Sequence, residues 1–236
     1  MARGQSIKPV RPDSLSKQVC DTLREAIFAG QFQPGEALRE LHLAKLFAVS
    51  QATIREALVQ LEQSGLVVRE KNRKTTVASF TAAELRDRLV VRVELEALAF
   101  VRAADNMKEG DFKKLNSVAQ SLQRSIDRGN WKEVTMNDLR FHHFVWSRSA
   151  NPVLERMLDQ LTTPLFAFFG RIHEKASTNP ASGLPHEALI EALRSRDEET
   201  VREAVRVHVE KSYGALLTAT SETAAARSAQ ADSAEA

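Results

Sequence analysis

The 236-residue chain has a single cysteine, Cys20. One thiol excludes an internal disulfide and any paired-cysteine zinc or redox motif, so a reducing compartment is the simplest home. Long apolar runs are also missing: no uncharged stretch reaches 18 residues, and no membrane span is expected. The opening MARGQSIKPVRPDSL is polar and holds two prolines, which does not fit a secretory signal. Charge of one sign is scarce as well, 33 Lys/Arg against 31 Asp/Glu, so net charge alone says little about partners. What the chain does have is 43% hydrophobic residues, enough for the cores of two modest domains.

The charge is unevenly spread. Residues 1–80 hold 12 Lys/Arg against 8 Asp/Glu, whereas the remainder is slightly acidic. That balance suits nucleic-acid binding only if the N-terminal fold supports it. Residues 1–13 read as a flexible basic arm. Leu15, Val19, Leu23 and Ile27 then recur at helical spacing, with Ser14 or Ser16 as N-cap candidates and Gly30 and Pro34-Gly35 as the stop. ELHLAKLFAVSQATIREALVQLEQSGL reads as two helices broken near Ala48-Val49, the second capped by Ser50 and ended by Gly65. Ile54, Ala57, Leu58 and Leu61 form its apolar stripe, leaving Gln51, Ala52, Arg55 and Val59 outward. LVVRE and TTVASF flank the polar tip 71–74 as a hairpin.

Three short helices and a basic hairpin over residues 14–80 are the plan of a winged helix-turn-helix. There the start of the third helix enters the major groove, where Gln pairs with adenine and Arg with guanine or phosphate. Gln51, Ala52, Thr53 and Arg55 are the candidates. Arg69, Lys71, Arg73 and Lys74 on the wing would reach backbone or minor groove and supply the salt-dependent part of the affinity. The plainer alternative is a small helical domain with a wet polar face. AGQFQPGEAL, LAKLFAVSQATIREALVQLEQSGLV and a wing ending in TTV resemble the winged-helix domain of the GntR family of bacterial transcription regulators. Gln51 stands where that family usually has Arg, and Lys74 where it usually has Gly, so base preference and wing tip are expected to differ.

From Thr81 the helical pattern is almost continuous. Helices are predicted near 82–105, 110–128, 130–149, 151–177, 184–195 and 198–219, an antiparallel bundle of about six helices over residues 81–219. The chain is thus expected to be mainly α. Residues 220–236 are Ala/Ser-rich without an apolar stripe and read as a disordered tail.

NDLRFHHFVW (137–146) keeps a carboxylate and two imidazoles in an apolar helix. Asp138 and His142 are four residues apart and share a face, while His143 points about 100° away from His142. His186 and His208 each lie 11 residues from Asp197, the expected turn of a helical hairpin. Equal distances from a turn set residues level, here about 16 Å along each helix. If the Asp138/His142 face closes on that level, the interior holds one carboxylate and three imidazoles, a set suited to zinc, nickel or manganese. Ordinary interior histidines and an i, i+4 contact are the plainer alternatives.

DLRFHHF, PHEALIEALRSRD and ETVREAVRVHV resemble motifs of the FCD effector-binding domain, found in the FadR subfamily of GntR regulators. With six helices rather than seven, the chain looks closer to the VanR-like group. The resemblance puts Asp138, His142, His186 and His208 on metal-ligand positions, with zinc as the first expectation, and gives His143 and His173 no role. It also implies a small carboxylate effector beside or on the metal. Arg92, in RVELEALAFVRAA (92–104), would contact it, since a guanidinium forks onto a carboxylate. Otherwise Arg92 and Glu96 are an i, i+4 surface pair. Arg88 has no motif behind it, and Phe166, Phe168 and Phe169 read as core. The expectation is a homodimeric bacterial regulator, a repressor and not an enzyme, cytoplasmic and at the nucleoid when bound to a near-palindromic double-stranded operator. One rival keeps DNA binding with a purely structural metal and no effector. Another is a metal-dependent hydrolase, for which no separate general base is evident beside the motif.

Overall fold

Apolar residues at three- and four-residue spacing fold the N-terminal part into α1 (Leu15–Phe28), α2 (Glu40–Phe47) and α3 (Gln51–Gln63). The computed structural model describes residues 15–70, 74–176 and 186–213, side chains included except at 169 and 171–176. Val19, Leu23 and Ile27 of α1 pack with Ile54, Ala57, Leu58 and Leu61 of α3 in one core, the predicted stripe. Ser16 is buried inside α1, past the position of an N-cap, and Ser14 lies outside the described residues. Ala48 turns the chain between α2 and α3 in the left-handed region, at φ 53°. Ser50 then caps α3, its side-chain oxygen accepting from the Thr53 N–H at 3.1 Å. Ser50→Ala is therefore expected to lower stability by about 1 kcal/mol, seen as a lower urea midpoint; an unchanged midpoint would mean that water replaces the cap.

The wing is a hairpin of β1 (Val67–Arg69) and β2 (Thr75–Val77), with Val67 opposite Val77 and Arg69 opposite Thr75. The segment before α2 adds a third rung. Leu38 N–H donates to Thr75 O at 2.8 Å, Val77 N–H donates to Glu36 O at 2.9 Å, and Ala37 pairs with Thr76. No β-rich run announces this pairing in the sequence, because so little of the segment takes part.

The C-terminal part is six helices among the described residues: α4 (Ala82–Asn106), α5 (Glu109–Asp127), α6 (Trp131–Ser147), α7 (Pro152–Ala176), α8 (His186–Ser195) and α9 (198–213). Their starts are set by side-chain caps: a Thr81/Glu84 capping box on α4, Asn130 on α6, and Asn151 accepting from the first N–H groups of α7. Phe100, Leu115, Phe141, Trp146, Leu158 and Leu193 fill the interior. The predicted arm 1–13, residues 214–219 of the last predicted helix and the predicted tail 220–236 fall outside the described residues.

The two parts share a wall. Phe166 and Ala167 of α7 are buried in the N-terminal core, and Met136 and Leu139 of α6 pack against it. Gly65, at φ +72°, closes the contact: a methyl group there would stand 2.6 Å from Gln160 O and 3.3 Å from Pro164 Cγ. Pro164 has no N–H to bond that carbonyl four residues back, so the end of α3 docks where α7 lacks a helical hydrogen bond.

Candidate functional site

α6 presents Asp138 and His142 on one face, α8 begins at His186, and α9 carries His208. One ligand atom from each of the four lies within 4.8 Å of the others. His186 Nε2 is 2.8 Å and His142 Nε2 is 3.5 Å from Asp138 Oδ1. The His208 ring centre is 4.9 Å from that of His186 and 5.1 Å from that of His142. The count from Asp197 thus sets the two hairpin histidines side by side. His143 faces away and meets Asp159 at 3.1 Å, while the side chain of His173 lies outside those described.

The four residues fit a metal ion on grounds of their own chemistry. Among the described residues His208 Nδ1 is buried with no hydrogen-bond partner, and His142 Nε2 is buried with only a long contact to Asp138 Oδ1, at a cost of about 1–3 kcal/mol for such an atom left dry. A cation among the four would engage both. The His208 ring is held neutral, its pKa pushed well below the usual imidazole value by burial first and then by His186 and His142. Burial alone would raise the Asp138 carboxyl; hydrogen bonds from His142 and His186 reverse this and hold it well below the usual carboxylate range. A neutral imidazole and an ionised carboxylate are the forms that bind metal.

Behind the cluster is a second buried group, Arg92 with Glu96, and the part Glu96 plays beside His142 was not foreseen from the sequence. Glu96 Oε1 meets His142 Nδ1 and accepts from Trp146 Nε1 at 3.2 Å, and Glu96 Oε2 accepts from Arg92 Nε at 2.7 Å. Glu96 therefore orients the His142 ring so that Nε2 faces the cluster. Its carboxyl sits below the usual range because Arg92 and then His142 more than offset the effect of burial, which alone would raise it. Arg92 and Glu96 are both 0% exposed, so the surface-pair alternative is wrong. One signal was available: both sit on the α4 stripe made by Leu85, Leu89, Ala99 and Ala103, which is buried along its length.

The Arg92 guanidinium lies over the rings of Phe166, at 5.0 Å, and Tyr213, at 4.9 Å. Its Nη1 and Nη2 are buried without a well-formed hydrogen bond among the described residues. Burial pushes the Tyr213 hydroxyl up to about 12, with the Arg92 charge pulling the other way. Phe166 also stands 5.5 Å from the His142 ring, so it belongs both to the core and to the wall of the site. Arg88 goes elsewhere, over the Phe80 ring at 4.4 Å and toward Leu161 O.

On the winged helix, Gln51, Ala52 and Arg55 are exposed at the start of α3 and Thr53 is half-buried. Arg55 Nε is held by Glu40 Oε2 at 2.7 Å, a pairing across fifteen residues that no local pattern predicts. Arg69 is partly buried near Glu62 at 3.9 Å, and Lys74 is exposed; Lys71 and Arg73 lie outside the described residues. Among the described residues no helix is long and apolar enough to cross a membrane.

Comparison with known proteins agrees with this division. The family of bacterial regulatory proteins called gntR matches residues 15–77, and the FCD domain matches residues 87–211. The chain is 27% identical over 201 residues to the HTH-type transcriptional regulator YdhC of Bacillus subtilis (strain 168), covering 84% of this chain and 89% of YdhC. It is 24% identical over 213 residues to the gluconate operon transcriptional repressor of Bacillus licheniformis, covering 85% and 84%. Among solved structures, E. coli McbR/YncC gives a TM-score of 0.72 at 25% identity, over 87% of this chain and 98% of that one. These relatives are regulators and not enzymes. With a gntR-type helix-turn-helix followed by an FCD domain, the chain belongs to the GntR family of bacterial transcription regulators.

Proposed function

We propose that this DNA-binding regulator is a cytoplasmic repressor that acts as a homodimer on a near-palindromic operator, and that a small carboxylate metabolite bound beside a metal ion in the helical bundle tunes its DNA affinity. The metal would be held by Asp138, His142, His186 and His208, with zinc the first choice for three imidazoles and a carboxylate, and nickel or manganese also suited. When bound it would supply a Lewis-acidic point for a carboxylate oxygen. Glu96 orients the His142 ring, and Arg92 offers its two Nη groups as a fork while its Nε stays on Glu96. The observation that carries this reading is a set of buried nitrogens without a well-formed hydrogen bond among the described residues, His142 Nε2, His208 Nδ1 and the Arg92 fork, with His142 and Arg92 joined through the one carboxylate of Glu96. A relative named for a gluconate operon, and hence for a hydroxycarboxylate, supports a ligand of this class.

Phe166 supplies the link to DNA. It rests on Arg92 and His142 and is buried in the N-terminal core, so a ligand that repacks it alters the seat of the winged helix. Such a ligand shifts DNA affinity only as far as it prefers one placement of the winged helices over the other. Gln51, Ala52, Thr53 and Arg55 would face one half-site, and Arg69, Lys71, Arg73 and Lys74 the DNA backbone. Gln51→Ala is expected to cost about 1–3 kcal/mol at one base position and relax preference there, and Lys74→Ala to weaken all sequences alike and reduce the salt slope by about one. Equal effects of both on all sequences would refute the placement of α3 in the groove. The test of the whole is a band-shift titration of zinc-loaded protein with gluconate and shorter hydroxycarboxylates. DNA affinity is expected to fall tenfold or more, and Arg92→Met to abolish the response. A rise in affinity would overturn the repressor reading, and a response to chelator but to no carboxylate would favour a purely structural metal.

A further inference from the structure

A threonine inside a helix can bond its hydroxyl back to a carbonyl one turn earlier. Thr22 donates in this way to Gln18 O at 2.9 Å and Thr135 to Trp131 O at 3.0 Å, while Thr163 donates to Asp159 Oδ1 at 2.7 Å. Thr162 of α7 does none of this. It is 0% exposed, and its hydroxyl has no hydrogen-bond partner among the described residues. A buried hydroxyl left unpaired works against the fold, and Val would fill the same space without that cost, so the group calls for a reason other than packing.

Its place in the bundle supplies that reason. Toward α4, Arg88 reaches Leu161 O and the Arg92 guanidinium lies over Phe166; toward α6, Asp159 meets His143 and Phe166 stands against the His142 ring. Thr162 falls inside this stretch of α7, one turn before Phe166 and about 40° from it around the helix. Leu158 and Leu165, its other neighbours on that side, are buried in the bundle core. The hydroxyl therefore shares the wall of Phe166, on the side of α7 where Arg92 and His142 come together. We propose that Thr162 is a specificity-determining residue of the candidate ligand site, its hydroxyl reading a hydroxyl on the bound carboxylate. The proposal rests on the carboxylate-effector reading and narrows it to hydroxycarboxylates. The negative charge of such a ligand is already met by the metal and the Arg92 fork. What suits a neutral group that both donates and accepts is another of the same kind. A site built around a buried hydroxyl rejects the analogue that lacks the matching group, because binding it leaves the protein's own hydroxyl dry.

Isothermal titration of the zinc-loaded, full-length protein can compare lactate and 3-hydroxypropionate with propionate, acids of one chain length and one charge. Wild type is expected to bind the better of the two hydroxy acids at least tenfold more tightly than propionate. In Thr162→Val that ratio is expected to fall below threefold, with propionate bound as well as by wild type or better. Thr162→Ser keeps the hydroxyl and is expected to keep the ratio. In chelator, Thr162→Val is expected to melt no lower than wild type, since it gives up no hydrogen bond. An unchanged ratio in Thr162→Val, or wild type that binds all of these acids alike, would overturn the role of Thr162 and leave the carboxylate site standing. A drop in melting temperature in Thr162→Val that Thr162→Ser does not share would give the hydroxyl a structural partner and overturn that role equally. Zinc-loaded wild type that takes none of these acids would overturn the small-carboxylate reading, and this proposal with it.

Discussion

Glu96→Gln is expected to destabilise the metal-free protein by about 3–5 kcal/mol, the usual consequence of breaking a buried ion pair from one side. The amide keeps the shape of the side chain but removes its charge, and the Arg92 cation, 0% exposed, is left without the carboxylate that neutralises it. If the unpaired charge is what costs, removing both charges should cost less than removing one: Arg92→Met/Glu96→Leu is expected to be more stable than Glu96→Leu. Urea unfolding at pH 7.5 in the presence of chelator measures all of these without a contribution from bound metal. A double variant less stable than the single would sink the argument. The pH dependence has a definite sign. The Glu96 carboxyl is depressed in the fold, so its contribution is fully present above the unfolded value of about 4.3 and is lost as pH falls toward the folded value. The penalty of Glu96→Gln should therefore narrow below about pH 4. The same substitution weakens the hold on the His142 ring, and metal affinity is expected to fall by about 10–100-fold.

What the sequence discloses and what it hides divide along the range of the interaction. Helix limits were legible within a few residues because caps and breakers are local: Ser50, Asn130 and Asn151 start helices where their side chains reach the next turn. The meeting of His186 and His208 was legible as well, since an antiparallel hairpin turns equal counts from Asp197 into equal heights. Ion pairs across the fold were not. Arg55 with Glu40 depends on how α2 crosses α3, and the burial of Arg92 with Glu96 depends on what surrounds α4. A charged i, i+4 pair reads as surface by default, and only its place on an apolar stripe argued otherwise. Phe166 was expected in a core, and it is in one; that this core belongs to the N-terminal part follows from the docking of α7 at Gly65, a contact between residues about a hundred positions apart that no periodicity encodes.

Removal of metal should have an effect of similar size to the loss of Glu96, and His208→Ala should separate the metal's contribution from that of the fold. His208 is buried and neutral, and its Nδ1 lacks a partner among the described residues, so in the metal-free protein it contributes chiefly packing. With zinc present at about a thousand times its dissociation constant, linkage adds about 4 kcal/mol to the folded state, a rise in melting temperature of roughly 10 °C for a chain of this size. His208→Ala is expected to lose most of that rise while differing from wild type by only a few degrees in chelator. Elemental analysis of protein purified without chelator or metal-affinity tag should show near-stoichiometric metal in the wild type and much less in the variant. Differential scanning fluorimetry with and without zinc completes the comparison. Wild-type protein that carries little metal and melts at the same temperature with and without it would return Asp138 and its three histidines to an ordinary polar cluster. The GntR assignment would survive that result, because it rests on the helix-turn-helix and the FCD match; the effector reading would not, because Arg92 alone offers a carboxylate one charge where the proposed site offers two.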